Sequence, residues 1–309
     1  MKSYKWIAAV AAVSLLLSAC GFSLAKPGES LQGTPSSPST TVPETQVTEP
    51  SEPPAPPVTE PRIGWYSEGK NTYYYDENGV MLTGWLELEG VRYYFKEDGT
   101  MARGKVNIDG VNNYFTSAGA YILLVNPWNF VPEGYAPDLV ELSTSIATSG
   151  QKVDRSCYDA LLAMITDCNR ECPEVCVVSS VRTQEYQEGL FQRKINSYLD
   201  QGYPLEEATR LAATVIAVPG TSEHQLGLAV DIVDTRSWSL NDGQADLPAQ
   251  KWLMENCWKY GFILRYPKGT TDSTGIIYEP WHYRYVGLAV AAEIHESGQT
   301  LEQYLESLS

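Results

Sequence analysis

Apolar and polar positions divide the chain into four stretches of different pattern. A short apolar run opens it, a stretch without any apolar period follows, a repeat of aromatic residues comes next, and amphipathic segments fill the rest. Such changes of pattern mark domain boundaries. We therefore predict a leader at 1–19, a tether at 20–61, a repeat array at 62–124 and a larger domain at 127–309.

The repeat array holds one period of 20 residues at three landmarks. Each unit has an aromatic strand such as Tyr73-Tyr74-Tyr75, followed by a turn such as Asp76-Glu77-Asn78-Gly79. This order predicts a β-hairpin per unit, and a single hairpin is too small to be stable unless it stacks on its neighbours. The landmarks are Gly64-Trp65, Gly84-Trp85 and Gly104-Lys105; Tyr74, Tyr94 and Tyr114; and Gly79, Gly99 and Gly119.

The stretch from Pro127 to Ser309 mixes helical and strand periodicities. The order predicts an α+β domain in which helices surround a small antiparallel sheet. Predicted helices are Val153–Asn169, Thr183–Leu199, Pro204–Val215 and Leu247–Tyr260 with further turns at the end, and predicted strands are Val175–Ser180, Leu226–Val233, Phe262–Leu264 and a segment near Trp281–Tyr285.

The N-terminus has the features of a secretion signal. Lys2 and Lys5 precede the apolar run Ile7–Leu17, which is too short to span a bilayer. Leu17-Ser18-Ala19-Cys20 resembles the lipobox of bacterial lipoproteins, in which Cys20 would be lipidated. Residues 20–61 are rich in Pro, Ser, Thr and Glu, and such a segment cannot form a core. We predict an extracytoplasmic protein that is anchored to the membrane by lipid and spaced from it by the tether.

Charge and cysteine content limit the kinds of partner and of cysteine site that the chain can have. Removal of the leader takes two lysines with it, so the formal charge falls from −16 to −18, which disfavours nucleic acid. Beyond Cys20, five cysteines would face an oxidising compartment. We predict a disulfide between Cys168 and Cys176, joining a helix end to the next strand. A metal cluster of Cys168, Cys172 and Cys176 is the disfavoured alternative.

Two polar clusters carry the candidate chemistry. They hold two of the three histidines, His224 and His282, together with Asp231 in an apolar run and Glu279 three residues before His282. A catalytic zinc takes about three nitrogen or oxygen ligands, and a buried carboxylate needs a strong partner. We predict that His224, Asp231 and His282 bind Zn²⁺ and that Glu279 is the general base. The third histidine, His295, is predicted to face solvent.

Packing alone is the alternative explanation of each residue. His224 would then cap a turn, Asp231 would pair with an arginine, and His282 would pack on Trp281. The alternative becomes weak when both clusters are taken together, because one catalytic requirement accounts for all four residues.

The same clusters carry a family resemblance. Ser222-x-His224-x-x-Gly227-x-Ala229-x-Asp231, followed by Glu279-Pro280-Trp281-His282, resembles the signature of the VanY-type D-Ala-D-Ala carboxypeptidases and the related L,D-carboxypeptidases. The resemblance covers about residues 150–290. It departs at Val181, where an aromatic residue commonly precedes the arginine.

The resemblance also implies roles for residues around the metal. Arg182 would stabilise the carbonyl oxygen or bind the substrate carboxylate, for which its planar guanidinium is suited. Gln187 and Ser222 would contact the stem peptide. A surface salt bridge for Arg182 and structural roles for Gln187 and Ser222 are the alternatives.

The repeats resemble the choline-binding or glucan-binding repeats of Gram-positive surface proteins. Aromatic cages bind quaternary ammonium groups by cation–π attraction. Trp65 and Trp85 fit such cages, but Lys105 stands where the third tryptophan is expected, so at most one full cage is predicted. A rigid spacer is the alternative.

The sequence thus predicts a zinc carboxypeptidase that removes the C-terminal D-alanine of peptidoglycan stem peptides. An L,D-carboxypeptidase acting on tetrapeptide stems, and an enzyme cutting inside a peptide or crosslink, keep the same metal site. A non-catalytic wall-binding lipoprotein is the alternative of another class. A serine hydrolase of the Gly-x-Ser-x-Gly type is disfavoured, because that motif is absent.

Overall fold

The structure is a computed structural model that describes residues 62–172 and 174–308. The predicted leader, the lipidation site Cys20 and the tether lie outside the described residues. Among the helices of the described ranges, none combines the length and apolar character needed to cross a bilayer.

Three β-hairpins form the repeat array. Each pairs two antiparallel strands of five residues, and in the third hairpin a short extra strand joins the edge. The strands are β1 (Gly64–Glu68), β2 (Asn71–Tyr75), β3 (Gly84–Leu88), β4 (Val91–Phe95), β5 (Gly104–Ile108), β6 (Val111–Phe115) and β7 (Tyr121–Ile122).

Glycine is required in the turn that leads from one hairpin to the next. Gly99 has a φ of 77°, and a Cβ there would lie 2.3 Å from the Met81 Sδ. Gly119 likewise has a positive φ, and a Cβ there would lie too close to the Met101 side chain. The 20-residue glycine landmark therefore reflects a left-handed backbone and a methionine that packs over it.

The third hairpin is built into the larger domain. Tyr114, Ile122 and Leu124 share one buried apolar cluster with the last two helices of the chain. At the position of the expected third tryptophan, Lys105 Nζ lies 2.8 Å from Glu306 Oε1. In the third unit, a lysine that contacts the larger domain therefore replaces the aromatic residue.

The larger domain has the predicted α+β fold. Its described residues form six further strands and seven helices, besides 3-10 turns at Glu223–Leu226, Asp242–Asp246 and Cys257–Tyr260. The strands are β8 (Leu139–Glu141), β9 (Lys152–Asp154), β10 (Val175–Ser179), β11 (Ala229–Asp234), β12 (Phe262–Tyr266) and β13 (Glu279–Tyr285). The helices are α1 (Arg155–Glu171), α2 (Gln184–Asp200), α3 (Leu205–Val215), α4 (Pro248–Asn256), α5 (Thr271–Thr274), α6 (Leu288–Ser297) and α7 (Leu301–Ser307).

A four-stranded antiparallel sheet forms the centre of this domain, in the order β10-β11-β13-β12. The main core lies where α1 and α4 cover the sheet, and Leu161, Met164 and Ile232 are fully buried there. Apolar residues at helical spacing in α1 account for this packing. The sheet therefore provides a rigid support for side chains on β11 and β13.

Two details of the sequence analysis need correction. All five cysteines of the described ranges are free thiols, so the predicted pairing of Cys168 with Cys176 is wrong for this structure. Cys168 and Cys172 instead direct their Sγ atoms to the successive carbonyls of Ala249 and Pro248. The predicted strand at Leu226 begins only at Ala229, because Leu226 ends a 3-10 turn.

Candidate active site

His224 is oriented by the 3-10 turn that precedes β11. Its Nδ1 lies 2.7 Å from the Ser180 carbonyl, which leaves Nε2 directed at Asp231 Oδ2, 3.3 Å away. Gly227 ends this turn with a φ of 72°, and its carbonyl accepts a hydrogen bond from the Asp154 N–H at 2.9 Å. A Cβ at Gly227 would lie 3.0 Å from that nitrogen, so the close approach requires glycine.

Asp231 and His282 are direct neighbours across the sheet. The register of β11 and β13 pairs the two residues, and Asp231 Oδ1 lies 3.1 Å from His282 Nδ1. Both side chains are buried. Although burial opposes ionisation, His224 and Arg182 hold the pKa of Asp231 well below its usual range. The carboxylate is therefore ionised at neutral pH.

Glu279 reaches the same point through an irregularity in β13. The pairing with β12 advances two residues on β12, from Leu264 to Tyr266, but four residues on β13, from Tyr283 to Glu279. Such a bulge changes the face to which side chains point. Glu279 Oε2 consequently lies 3.6 Å from His282 Nδ1, although the two residues are three apart in a strand.

The surroundings of Glu279 raise its affinity for a proton. Burial, with a contribution from the Asp231 charge, raises the pKa of Glu279 to about 8, against the opposing effects of His282 and Arg182. A general base works best with a pKa near the operating pH. The side chain also lines the cavity, where a substrate can reach it.

The three predicted ligands fit a zinc ion. One donor atom from each of His224, Asp231 and His282 lies within 4.8 Å of the other two. Although burial lowers the pKa of His282, the neighbouring Asp231 and Glu223 carboxylates raise it to about 9, so the surroundings favour a positive charge. Two imidazoles and a carboxylate are a common donor set for catalytic zinc. The assignment of the three as metal ligands stays a prediction.

Arg182 enters the site from the end of β10. Its Nη2 lies 2.6 Å from Asp231 Oδ2, and its Nε and Nη2 donate to Ser179 Oγ at 3.0 and 2.7 Å. The guanidinium also lines the cavity. Arg182 therefore lies in the site, where it pairs with Asp231 as the alternative explanation of that residue had it, and is not in a surface salt bridge. Its contact with substrate stays a prediction.

The cavity over these residues has a volume of about 300 Å³. Ser222 lines it, as predicted for a residue near the peptide, but its contact with substrate stays a prediction. Gln187 is fully buried outside the lining and donates from Nε2 to the Ala217 carbonyl at 2.7 Å. Since Ala217 does line the cavity, Gln187 holds its wall in this structure, and direct contact with the peptide stays a prediction.

Sequence reasoning missed Glu223, which precedes His224. Its side chain is fully buried, and Oε1 accepts hydrogen bonds from Arg265 Nε at 2.8 Å and Arg284 Nη1 at 2.7 Å. The motif offers no signal for it, because the motif specifies no residue between Ser222 and His224.

Other candidates lie away from the site. His295 is exposed, as predicted, and stacks on Trp258 with ring centroids 4.5 Å apart. A Ser-x-x-Lys spacing occurs at Ser149 and Lys152, but both residues are exposed and neither lines the cavity. The clustered histidines and carboxylates thus remain the best-supported active site.

Comparison with known proteins finds relatives of both the repeat array and the larger domain. The family model described as D-alanyl-D-alanine carboxypeptidase (VanY) matches residues 150–288, and the choline-binding repeat matches residues 63–103 and 82–122. A D-alanyl-D-alanine carboxypeptidase of Enterococcus faecalis is 38% identical over 60% of this chain and 66% of its own length. This chain thus spans just under two thirds of that relative.

Two solved structures resemble the larger domain. The vancomycin-resistance D,D-pentapeptidase VanY of the VanB-type cassette, in complex with Zn(II), is 38% identical, with a TM-score of 0.53 over 59% of this chain and 97% of the other. The LD-carboxypeptidase LdcB is 33% identical, with a TM-score of 0.54 over 67% of this chain and 95% of the other. The chain therefore belongs to the VanY D-alanyl-D-alanine carboxypeptidase family, with choline-binding repeats ahead of the peptidase domain.

Proposed function

We propose that this protein is a zinc carboxypeptidase that hydrolyses the C-terminal D-alanine of peptidoglycan stem peptides ending in D-Ala-D-Ala. The convergence of His224, Asp231 and His282, with Glu279 3.6 Å from His282, is the observation that carries the proposal. Family membership and the zinc found in a related structure support it.

The metal would be held by His224 Nε2, the Asp231 carboxylate and His282 Nδ1. When bound, zinc supplies a Lewis acid that polarises the scissile carbonyl and lowers the pKa of water. The Ser180 carbonyl fixes the His224 ring by accepting from its Nδ1, a contact of the kind that orients metal ligands.

Glu279 would move the proton during hydrolysis. Its carboxylate accepts a proton from the attacking water and donates it to the departing amine of D-alanine. The side chain is buried at the wall of the cavity, which limits its contact with bulk solvent.

Arg182 would bind the free carboxylate of the substrate or the developing charge on the carbonyl oxygen. Its fork-shaped guanidinium can form two parallel hydrogen bonds to a carboxylate. Since Arg182 already contacts Asp231 at 2.6 Å, a bound substrate would compete for the same guanidinium. A carboxypeptidase needs such a cation to select chain ends.

Cleavage after the L-residue of a tetrapeptide stem is the second candidate activity. The likeness to LdcB, which covers 67% of this chain, favours it. Digestion of defined penta- and tetrapeptide muropeptides separates the two. Release of D-alanine from the pentapeptide alone supports the D,D-activity, release from the tetrapeptide alone replaces it by the L,D-activity, and product analysis also detects any cut inside a crosslink. A protein that releases nothing would be a non-catalytic wall-binding lipoprotein.

The repeats suggest a second function, which is attachment to a wall polymer that carries quaternary ammonium groups. Trp65 lies at ring-centroid distances of 5.2 Å from Tyr74 and 5.0 Å from Tyr93, with interplanar angles of 85° and 72°. Trp65 is also 47% exposed, so a ligand can reach this cage. Perpendicular aromatic faces around one point are suited to a choline-like cation.

A second cage is already filled by the protein itself. Trp85 and Tyr121 flank the Arg92 guanidinium, whose central carbon lies 4.4 and 5.3 Å from their ring centroids. In the third hairpin the cation is Lys105, which pairs with Glu306. Among the described residues, the array thus has one cage, that at Trp65, without an internal cation. The sequence predicts at most one full cage because Lys105 replaces a tryptophan, and Arg92 is a further reason found in the structure.

We further propose that the protein acts outside the cytoplasm, anchored by a lipid on Cys20 through the tether of residues 20–61. The lipobox-like Leu17-Ser18-Ala19-Cys20 supports this proposal. A stem-peptide substrate and wall-binding repeats are both consistent with action at the wall of a Gram-positive bacterium.

A further inference from the structure

Glu223 faces the nitrogen of His282 that the predicted metal does not use. Its Oε2 lies 3.6 Å from His282 Nε2, whereas His282 Nδ1 faces Asp231 Oδ1 at 3.1 Å. Among the described residues, neither Glu223 Oε2 nor His282 Nε2 has a hydrogen-bond partner. Two buried polar atoms without partners thus face each other across a short gap, and a small closing movement would join them.

The other oxygen of Glu223 is fixed. Oε1 accepts from Arg265 Nε and Arg284 Nη1, and all three side chains are buried. A buried carboxylate would be unstable without a partner of opposite charge. The two guanidinium groups supply that charge and so keep Glu223 ionised. An ionised carboxylate accepts hydrogen bonds only, so Oε2 requires a donor, which His282 can supply.

The two arginines also form hydrogen bonds to residues outside the four-stranded sheet. Arg265 donates to both oxygens of Glu302 on α7 at 2.9 and 2.5 Å, and Arg284 Nη2 donates to the Leu123 carbonyl at 2.8 Å. Asn126 Nδ2 donates to Glu302 Oε1 at 3.0 Å. The network therefore runs from His282 to the C-terminal helix and to the segment that follows the third hairpin.

We propose that Glu223 is a positioning residue for the metal site, which accepts the Nε2 proton of His282 and thereby leaves Nδ1 free to bind zinc. Arg265, Arg284 and Glu302 fix the carboxylate in that place. A carboxylate behind a ligating histidine fixes the tautomer and raises the basicity of the metal-binding nitrogen. The inference rests on the proposed zinc site.

Glu223→Gln tests the role directly, because glutamine keeps the size but removes the charge. The zinc dissociation constant should rise about 10- to 100-fold, the usual effect of losing such a partner. It is measured by competition with a chromophoric chelator, together with the thermal midpoint of the metal-free protein. If Glu223 only neutralised the arginines, the midpoint would fall while the zinc affinity stayed at the wild-type value, and that result would overturn the proposal.

Glu223→Asp covers the case in which the glutamine variant does not fold. Aspartate keeps the charge for both arginines but withdraws the carboxylate from His282 by one methylene. We expect a folded protein whose zinc affinity lies between those of the wild type and Glu223→Gln. Wild-type zinc affinity in Glu223→Asp would contradict the proposal.

A matched control and a direct observation complete the test. Glu306→Gln removes a carboxylate from the same helix as Glu302 but outside the network, and should leave zinc affinity unchanged. In the zinc-loaded wild type, the Nε2–H proton of His282 should give a slowly exchanging NMR signal, and its absence would count against the proposal. Zinc binding needs no substrate, so a wild type that binds zinc but releases no D-alanine would refute the proposed function alone.

Discussion

Glu279 and Asp231 are both carboxylates in contact with His282, yet their surroundings push their pKa values in opposite directions. Burial raises the pKa of Glu279 to about 8, while His224 and Arg182 hold the pKa of Asp231 well below its usual range. One carboxylate is therefore suited to accept a proton and the other to remain charged beside a cation. This difference gives the two residues separable roles.

Glu279→Gln should lower kcat by about 10²–10⁴-fold, because the amide keeps the size but cannot accept the proton. Zinc content should stay near the wild-type value, since the three ligands are untouched. Steady-state release of D-alanine from a pentapeptide, with metal analysis of the same sample, measures both. A variant that lost its zinc would make Glu279 a ligand, and near-wild-type turnover would remove it from the mechanism.

Asp231→Asn tests the predicted role of Asp231 as a metal ligand. The amide retains one coordinating oxygen but loses the charge, so zinc affinity should fall along with activity. Dialysis against a weak chelator followed by metal analysis checks this. Retention of zinc at the wild-type level would mean that Asp231 is not a ligand.

The sequence indicates candidate site residues where one short motif contains them. His224 and Asp231 are seven residues apart and Glu279 and His282 are three apart, and the structure brings these two motifs together, while the roles of the residues stay predictions. Glu223 could not be found in this way, because its partners Arg265 and Arg284 are 42 and 61 residues away. A buried charge network depends on tertiary contacts that no local pattern records.

At the scale of elements, periodicity predicts the hairpins but not what occupies the spaces between them. Trp65 and Trp85 occupy equivalent places, yet one cage lacks an internal cation in the described structure and the other surrounds Arg92. Similarly, a strand pattern predicts the segment near Trp281, but the bulge that brings Glu279 beside His282 appears only in its pairing with β12. Both features are decided by neighbouring strands.

Arg92→Ala should open a second cage. We expect choline to bind the wild type at about one site per chain and the variant at about two, because the freed faces of Trp85 and Tyr121 can accept an external cation. Isothermal titration with choline gives the stoichiometry. Unchanged stoichiometry in Arg92→Ala would show that the second cage is not a latent site.

Arg62→Ala is the matched control for this experiment. Arg62 lies over Tyr66, 3.8 Å from its ring centroid, and thus outside both cages. This variant should keep one site, whereas Trp65→Ala should lose it. Binding that survives Trp65→Ala would place the ligand elsewhere.

At the scale of the whole molecule, the metal should couple activity to stability. Chelation should abolish release of D-alanine and added zinc should restore it, because the three predicted ligands are buried and converge on one position. Zinc at 100 times its dissociation constant should also stabilise the folded state by about 2.7 kcal/mol, if it binds only that state. Activity assays and thermal unfolding with and without zinc measure both effects. Full activity in metal-free protein would refute the assignment.

Anchoring can be tested on the intact chain in cells. Cys20→Ala removes the predicted acceptor of the lipid, so the protein should move from the membrane fraction to the medium or remain unprocessed. Fractionation with immunoblotting distinguishes these outcomes, and Cys176→Ala is a control that leaves the leader intact. An unchanged membrane fraction would contradict the lipid anchor.

The contact between the third hairpin and the peptidase domain would limit which stem peptides the proposed enzyme can reach. Tyr114 and Ile122 are buried against α6 and α7, and Arg284 Nη2 donates to the Leu123 carbonyl, so the third hairpin packs directly on the peptidase domain. Successive hairpins also contact each other, through Trp65 with Tyr93 and Trp85 with Phe115, so the cage at Trp65 and the catalytic cleft belong to one compact unit. If the cage binds a wall polymer as proposed, the active site would reach stem peptides only at a fixed distance from the attachment point. The spacing of the bound groups along the wall would then decide which stem peptides are trimmed.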